Sequence, residues 1–143
     1  MTRTKNRAGF SIEHVAEAAI KADEAEEAVA REQAKSMSLG SGAAHDFFLT
    51  GKWVDRVMPL LRGVADSTRL RLIALLAKKE PMDVGQLAQA LGVRSSTISQ
   101  HLTILREAKV IVTEKNGIHT NCYLNRKFVG WRLQQLKEIL HRE

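Results

Sequence analysis

Between Arg94 and Gln100 the chain reads RSSTISQ, a run of short hydroxyl side chains bounded by a guanidinium and an amide. At the start of a helix, hydroxyls and first-turn backbone amides take phosphate oxygens at the positive helix end. An outward glutamine one turn further on makes the paired hydrogen bond that adenine offers in the major groove. Ile98, Leu102 and Leu105 recur on the other side at helical spacing, so the polar groups share an outer face. Arg94, Ser95, Ser96, Thr97, Ser99 and Gln100 are therefore candidate DNA-binding residues, with Gln100 on a base and Arg94 on phosphate. His101 falls nearer the apolar side, where packing or a backbone hydrogen bond suits it better than a base contact. The alternative is a helical hairpin whose exposed face happens to be rich in serine.

No comparable set assembles for catalysis. The chain has no phosphate loop and no metal-binding helix motif. Its one cysteine, Cys122, falls on a different element from every histidine, with no base beside it. His14 has Glu13 and Glu17 nearby, on what reads as a solvated helix face. The chain is expected not to be an enzyme and to use no cofactor.

The elements that must carry the RSSTISQ face can be read on both sides of it. Upstream, Leu87, Ala88 and Leu91 have helical spacing and Gly92-Val93 breaks the run. Ala88 fits a tight helix crossing, Gly92 suits a left-handed turn, and Asp83 is placed to cap the first helix. The stretch from Val84 to Arg106 thus reads as a helix-turn-helix. Downstream, Val110-Ile111-Val112-Thr113 is β-branched, and Asn116-Gly117 signals a two-residue hairpin turn. Ile118, Thr120, Cys122 and Leu124 alternate with His119, Asn121 and Tyr123 in the return strand. A hairpin directly after a reading helix is a wing, and Lys115, Asn116 and His119 near its tip join the candidate DNA contacts. Lys109, between helix and hairpin, is expected to face solvent.

Before the helix-turn-helix, Asp66-Ser67 starts a helix running to Lys78, with Leu70, Ile73, Leu76 and Ala77 expected inward. Ahead of it comes an apolar segment containing Phe47, Phe48 and Leu49, then a helix from about Thr50 to Val64, expected to bend at Pro59. The last segment, Lys127 to Glu143, has Val129, Leu133, Leu136 and Leu140 at heptad spacing beside Phe128, Trp131 and Ile139. So much apolar surface on flanking helices suggests a second copy as partner. Trp53, Val57, Leu60, Leu61, Phe128, Trp131, Leu133, Leu136 and Leu140 are the expected dimer-interface residues.

With 143 residues, 44% hydrophobic and 27% charged, the chain suits one domain with an appendage. Its net charge of +6 favours a polyanionic partner. A lone cysteine excludes an internal disulfide. No apolar run reaches the roughly 20 residues of a membrane span, and no signal-peptide core follows the start. A cytoplasmic, soluble protein is the expectation. Residues 1–10, with Arg3, Lys5 and Arg7, read as a basic disordered arm. Residues 11–43 read as an acidic Ala/Glu-rich helix to about Lys35 and a Gly/Ser linker, and residues 44–143 as the DNA-binding and dimerisation domain. Residues 13–32 carry a net −5, which leaves +11 on the remainder. That helix is expected to pack lightly on the body or a partner subunit. The sharper alternative is an acidic flap competing with DNA for the basic surface.

The segments LRGVADSTRLRLIALL and VGQLAQALGVRSSTISQHLTILREAKVI, with the NG wing, resemble the ArsR/SmtB family of bacterial winged-helix repressors over about residues 50–140. The resemblance implies a mainly α fold with a small β-hairpin. It also implies a homodimer bound to a palindromic operator, where it blocks transcription until an effector, often a metal ion, releases it. Thiolate-type sensors of the family carry Cys-x-Cys at the start of the first reading helix, where this chain has Asp83 and Gly85. Neither is a soft ligand. The other family site uses Asp and His pairs on the C-terminal helix, which offers only Glu138, His141 and Glu143, short of the four ligands zinc requires. The chain therefore resembles members that lack a metal site, and no metal ligand is assigned. The effector remains open. A metal- or redox-responsive repressor is one alternative, although Cys122 has no partner cysteine. A protein–protein assembly module docking through the acidic helix is another.

Overall fold

A computed structural model describes residues 11–37 and 52–141. The basic arm of residues 1–10, most of the linker, and Phe47, Phe48 and Leu49 lie outside the described residues. The chain forms α1 (Ile12–Met37), α2 (Lys52–Val64), α3 (Ser67–Lys78), β1 (Met82–Asp83), α4 (Val84–Leu91), α5 (Ser95–Glu107), β2 (Ile111–Asn116), β3 (His119–Leu124) and α6 (Arg126–Leu140). It is the expected mainly α fold with a helix-turn-helix and a wing. α2 continues through Pro59. Asp55, whose carbonyl loses its intrahelical partner there, and Pro59 are both exposed, so water can replace the lost bond.

Residue type explains each boundary of the reading unit. The Asp66 carboxylate caps α3, accepting from the Arg69 amide at 2.9 Å. Asp83 opens α4 with a reciprocal pair. Its Oδ1 accepts from Gln86 N at 2.8 Å, and Gln86 Oε1 accepts from Asp83 N at 3.0 Å. Gly92 ends α4 at φ +64°, the left-handed conformation a Cβ disfavours. Lys109 takes the same conformation after α5, at φ +60°, where glycine is the commoner residue.

The core gathers Leu60 of α2, Leu72 and Leu76 of α3, Leu87 of α4, and Ile98 and Leu105 of α5. The face expected of α3 needs correction. Leu72 and Leu76 are fully buried, whereas Ala77 is exposed and Leu70 is 52% exposed. Leucines at 70, 72, 75 and 76 with Ile73 surround the helix, so spacing alone could not choose the buried side.

The sheet has three strands in the order β1-β3-β2, all antiparallel. Met82 pairs with Cys122 and Asp83 with Asn121, so a short strand ahead of α4 ties the helix-turn-helix to its wing. With β3 central, Cys122, Tyr123 and Leu124 are all buried at its base, and the expected alternation fails there. Asn116 pairs with His119, which makes Gly117-Ile118 the two-residue turn, one residue later than expected. Gly117, at φ +64°, supplies the positive φ of a type II′ turn at its first central position. Ile118 is consequently 96% exposed at the wing tip.

α1 lies against α6, with Ala16 buried. Glu17 meets Lys127 at 2.6 Å, Asp23 pairs with Arg132, and Glu26 and Glu27 stand 3.7 and 3.6 Å from Arg56. Arg132 is 4% exposed, its guanidinium 5.1 Å from the Phe128 ring centre and 4.7 Å from that of Trp131. Flat apolar contact and a carboxylate together make that burial tolerable. These acidic side chains thus answer cations on α6 and α2 rather than on the RSSTISQ helix or the wing, unlike the flap alternative.

Candidate nucleic-acid interface

The turn at Gly92 brings α5 against α4, whose Leu87 and Ala88 are buried. Ile98, Leu102 and Leu105 anchor α5 in the core. Arg94, Ser95, Ser96, Ser99 and Gln100 are exposed on its other side, and Thr97 is half-buried. Arg94 is the N-cap and makes no side-chain cap bond. The first intrahelical bond runs from Ile98 N to Arg94 O at 3.0 Å, so the amides of Ser95, Ser96 and Thr97 have no intrahelical acceptor. A hydroxyl-rich surface and a set of outward N–H donors therefore coincide at the positive end of α5.

Thr103 and Arg106 continue the exposed surface of α5 and were not singled out from the sequence. Serine and glutamine drew attention by type, whereas the next turn gave no comparable cluster. The Thr103 hydroxyl donates to Ser99 O at 3.0 Å and is thereby partly occupied.

At the wing, Lys115, Asn116, Ile118 and His119 are exposed. His119 Nδ1 stands 3.1 Å from Asp83 Oδ2, so this histidine leans back toward the cap of α4. Ile118, which the sequence places in the return strand, falls instead in the turn with its side chain in solvent.

His101 is not on the outward surface. Its Nδ1 lies 3.4 Å from Arg69 Nη1 and 3.9 Å from Asp66 Oδ1. Packing against the start of α3 replaces the backbone hydrogen bond considered from sequence. Arg69 also donates through Nε to Gly63 O at 2.6 Å and through Nη2 to Arg62 O at 3.2 Å. One guanidinium thus closes the last turn of α2 and touches the reading helix. The Arg69 amide hydrogen bond is the main cause that holds the Asp66 carboxyl below its ordinary value, with the Arg69 and His101 charges adding to it. Gly63 lies in a close approach, where a Cβ would sit 3.0 Å from the Ala108 methyl at the end of α5.

The expected dimer residues separate into three groups. Val57, Leu60 and Phe128 are buried within one chain. Trp53 and Trp131 are half-buried and line a cavity between α1, α2 and α6. Leu61 and Leu136 are half-buried, whereas Leu133 and Leu140 are exposed. Cys122 is fully buried, and burial pushes its thiol up to about 11. A thiol so held is a poor source of thiolate.

A described family, "Bacterial regulatory protein, arsR family", matches residues 66–111, from the cap of α3 to the start of β2. The "HTH-type transcriptional regulator KmtR" of Mycobacterium tuberculosis is 38% identical over 61 residues, 43% of this chain and 46% of that protein. The "Arsenical resistance operon repressor" of Escherichia coli is 30% identical over 79 residues, 55% of this chain and 68% of that one. The chain spans about half the length of the first of these relatives. Among solved structures, NolR from Sinorhizobium fredii aligns with TM-score 0.50 and 25% identity, covering 71% of this chain and 94% of NolR. Among the described residues no helix is long and apolar enough to cross a membrane.

Proposed function

The chain belongs to the arsR family of bacterial regulatory proteins, and from that premise we propose that it is a transcriptional repressor reading duplex DNA through α5 and the wing. The observation that carries this reading is the division of α5. Ile98, Leu102 and Leu105 are buried, and Arg94, Ser95, Ser96, Ser99 and Gln100 are exposed beside N-terminal amides that lack an intrahelical acceptor. In the proposed complex Gln100 makes the paired hydrogen bond to an adenine edge. Ser95, Ser96, Thr97 and Ser99 line the groove wall, while Arg94 and Lys115 hold phosphates. Asn116, His119 and the exposed Ile118 bring the wing against the adjacent groove or backbone.

The proposed active species is a homodimer on a palindromic operator, since two-fold protein symmetry calls for paired half-sites about 34–36 Å apart. The proposed interface draws on Leu133, Leu136 and Leu140 of α6 and Leu61 of α2, which are exposed or half-buried. In the domain organisation proposed here, residues 44–143 form the reading and pairing unit and residues 11–43 an accessory segment. The release signal is proposed not to be a thiolate-bound metal, because Asp83 is engaged with Gln86 as a helix cap and Gly85 has no side chain to offer. The high thiol pKa of Cys122 argues against a redox trigger there.

Selection of duplexes from a random library, followed by a salt-titrated shift assay, tests the reading. The expected result is a pair of inverted half-sites one helical turn apart, bound better than competitor and weakening steeply with salt. Equal binding to competitor DNA would overturn it and favour an assembly module.

A further inference from the structure

Away from the α5 face, helices α1, α2 and α6 meet around a cavity of about 340 Å³, within the size range of small-molecule sites. Both tryptophans of the chain line it, Trp53 from α2 and Trp131 from α6. Beside them lies Arg56, whose side chain is 12% exposed. Its Nη2 is buried and has no hydrogen-bond partner among the described residues. Glu26 and Glu27 stand 3.7 and 3.6 Å from the guanidinium, near enough to offset its charge but too far to accept its hydrogens. A buried donor left in this condition is costly, so an acceptor arriving in the cavity gains more than it would at the surface.

The lining also has a charge bias. Glu24, Glu27 and Glu138 line it with Arg56, while the Arg132 guanidinium beside Trp131 is already paired with Asp23. Indole faces stack on flat rings and attract cations, tryptophan most strongly of the aromatic side chains. A carboxylate ligand would satisfy Arg56 but meet three like charges. We propose that this cavity binds a small organic cation built on a flat ring that bears a hydrogen-bond acceptor, in the manner of a protonated arylalkylamine with a ring hydroxyl. The ring lies against Trp53 and Trp131, the acceptor reaches Arg56 Nη2, and the ammonium faces Glu24 and Glu138. No DNA is involved in this binding, so it is measured separately from the proposed repressor activity.

Two indoles give two side-chain N–H signals, and both report on the cavity. The full chain, labelled with nitrogen-15, is titrated with tyramine, 4-ethylphenol and 4-hydroxyphenylacetate, which share a phenol ring and differ in charge. Tyramine is expected to shift both indole signals to saturation, binding about tenfold tighter than 4-ethylphenol, with 4-hydroxyphenylacetate weakest. Glu138→Gln, at an exposed position that leaves the fold intact, is expected to weaken tyramine several-fold and leave 4-ethylphenol unchanged. Preference for the anion, or no saturable tyramine shift at roughly 10 mM, would overturn the assignment. So would equal loss of tyramine and 4-ethylphenol in the Glu138→Gln variant, because the ammonium would then not be what that carboxylate recognises.

Discussion

Replacing Asp83 should loosen the joint between the reading unit and its wing, by an amount that can be worked from its contacts. Its carboxylate accepts from Gln86 N at 2.8 Å and lies 3.1 Å from His119 Nδ1. Its backbone pairing with Asn121 belongs to the sheet and is untouched by a side-chain change. Loss of an N-cap oxygen costs about 1 kcal/mol. The His119 pair is mostly exposed and adds no more than about 0.5 kcal/mol, less in high salt. Asp83→Ala is therefore expected to cost about 1.5 kcal/mol, roughly a tenfold fall in the folded-to-unfolded ratio. Asp83→Asn keeps the accepting oxygen and loses the charge, so it should cost about 0.5 kcal/mol. Urea denaturation followed by circular dichroism gives both values, and His119→Ala completes a double-mutant cycle. Equal midpoints for the Ala and Asn variants would refute the capping argument. A coupling to His119 well above 1 kcal/mol would refute the weight given to its exposure.

Gly92→Ala should destabilise by about 1–2 kcal/mol through the left-handed backbone alone, since nothing lies within 4 Å of the added methyl; an unchanged urea midpoint would contradict this. The Cys122 thiol, pushed up to about 11, should resist disulfide reagents in the native chain at about pH 8 and react at once in denaturant. The same burial has a consequence for alkaline stability. The unfolded chain releases this proton first, at its ordinary value of about 8.5, so stability present below that pH should fall as pH climbs toward about 11. Burial and then the Glu114 carboxylate raise the Tyr123 phenol, which acts in the same direction. Removing the Cys122 thiol as Cys122→Ala should flatten the alkaline limb; an unchanged limb would exclude its part. Arg94→Ala and Lys115→Ala should each weaken DNA binding evenly across sequences and lower the salt slope by about 1, and a sequence-dependent loss would mean that these side chains touch bases.

The helix-turn-helix was legible because several local rules agree on it: Asp83 as cap, Ala88 at the crossing, Gly92 at the turn, and the apolar triplet Ile98, Leu102 and Leu105. The missed features have physical reasons. β1 has only two residues, too few for any period, and it exists by pairing with Cys122 and Asn121 about forty residues later. The wing turn shifted by one because Asn116 and Gly117 can each occupy a central position, and cross-strand register decides between them. In α3 the apolar residues surround the helix, and burial was settled by what packs on Leu72 and Leu76. Val57, Leu60 and Phe128 look alike in sequence whether they meet their own core or a second copy. The ion pairs of α1 with Lys127 and Arg132 join residues more than a hundred positions apart, beyond the reach of local pattern.

The central claim is that the outward face of α5 reads bases, and the base preference of Gln100→Ala measures it most directly. Binding of parent and variant is compared across all single-base changes of the selected operator at one salt concentration. The variant should lose about 1–3 kcal/mol of discrimination at one adenine position in each half-site and keep the rest of the profile. An unchanged profile, or a uniform loss at every position, would contradict the account.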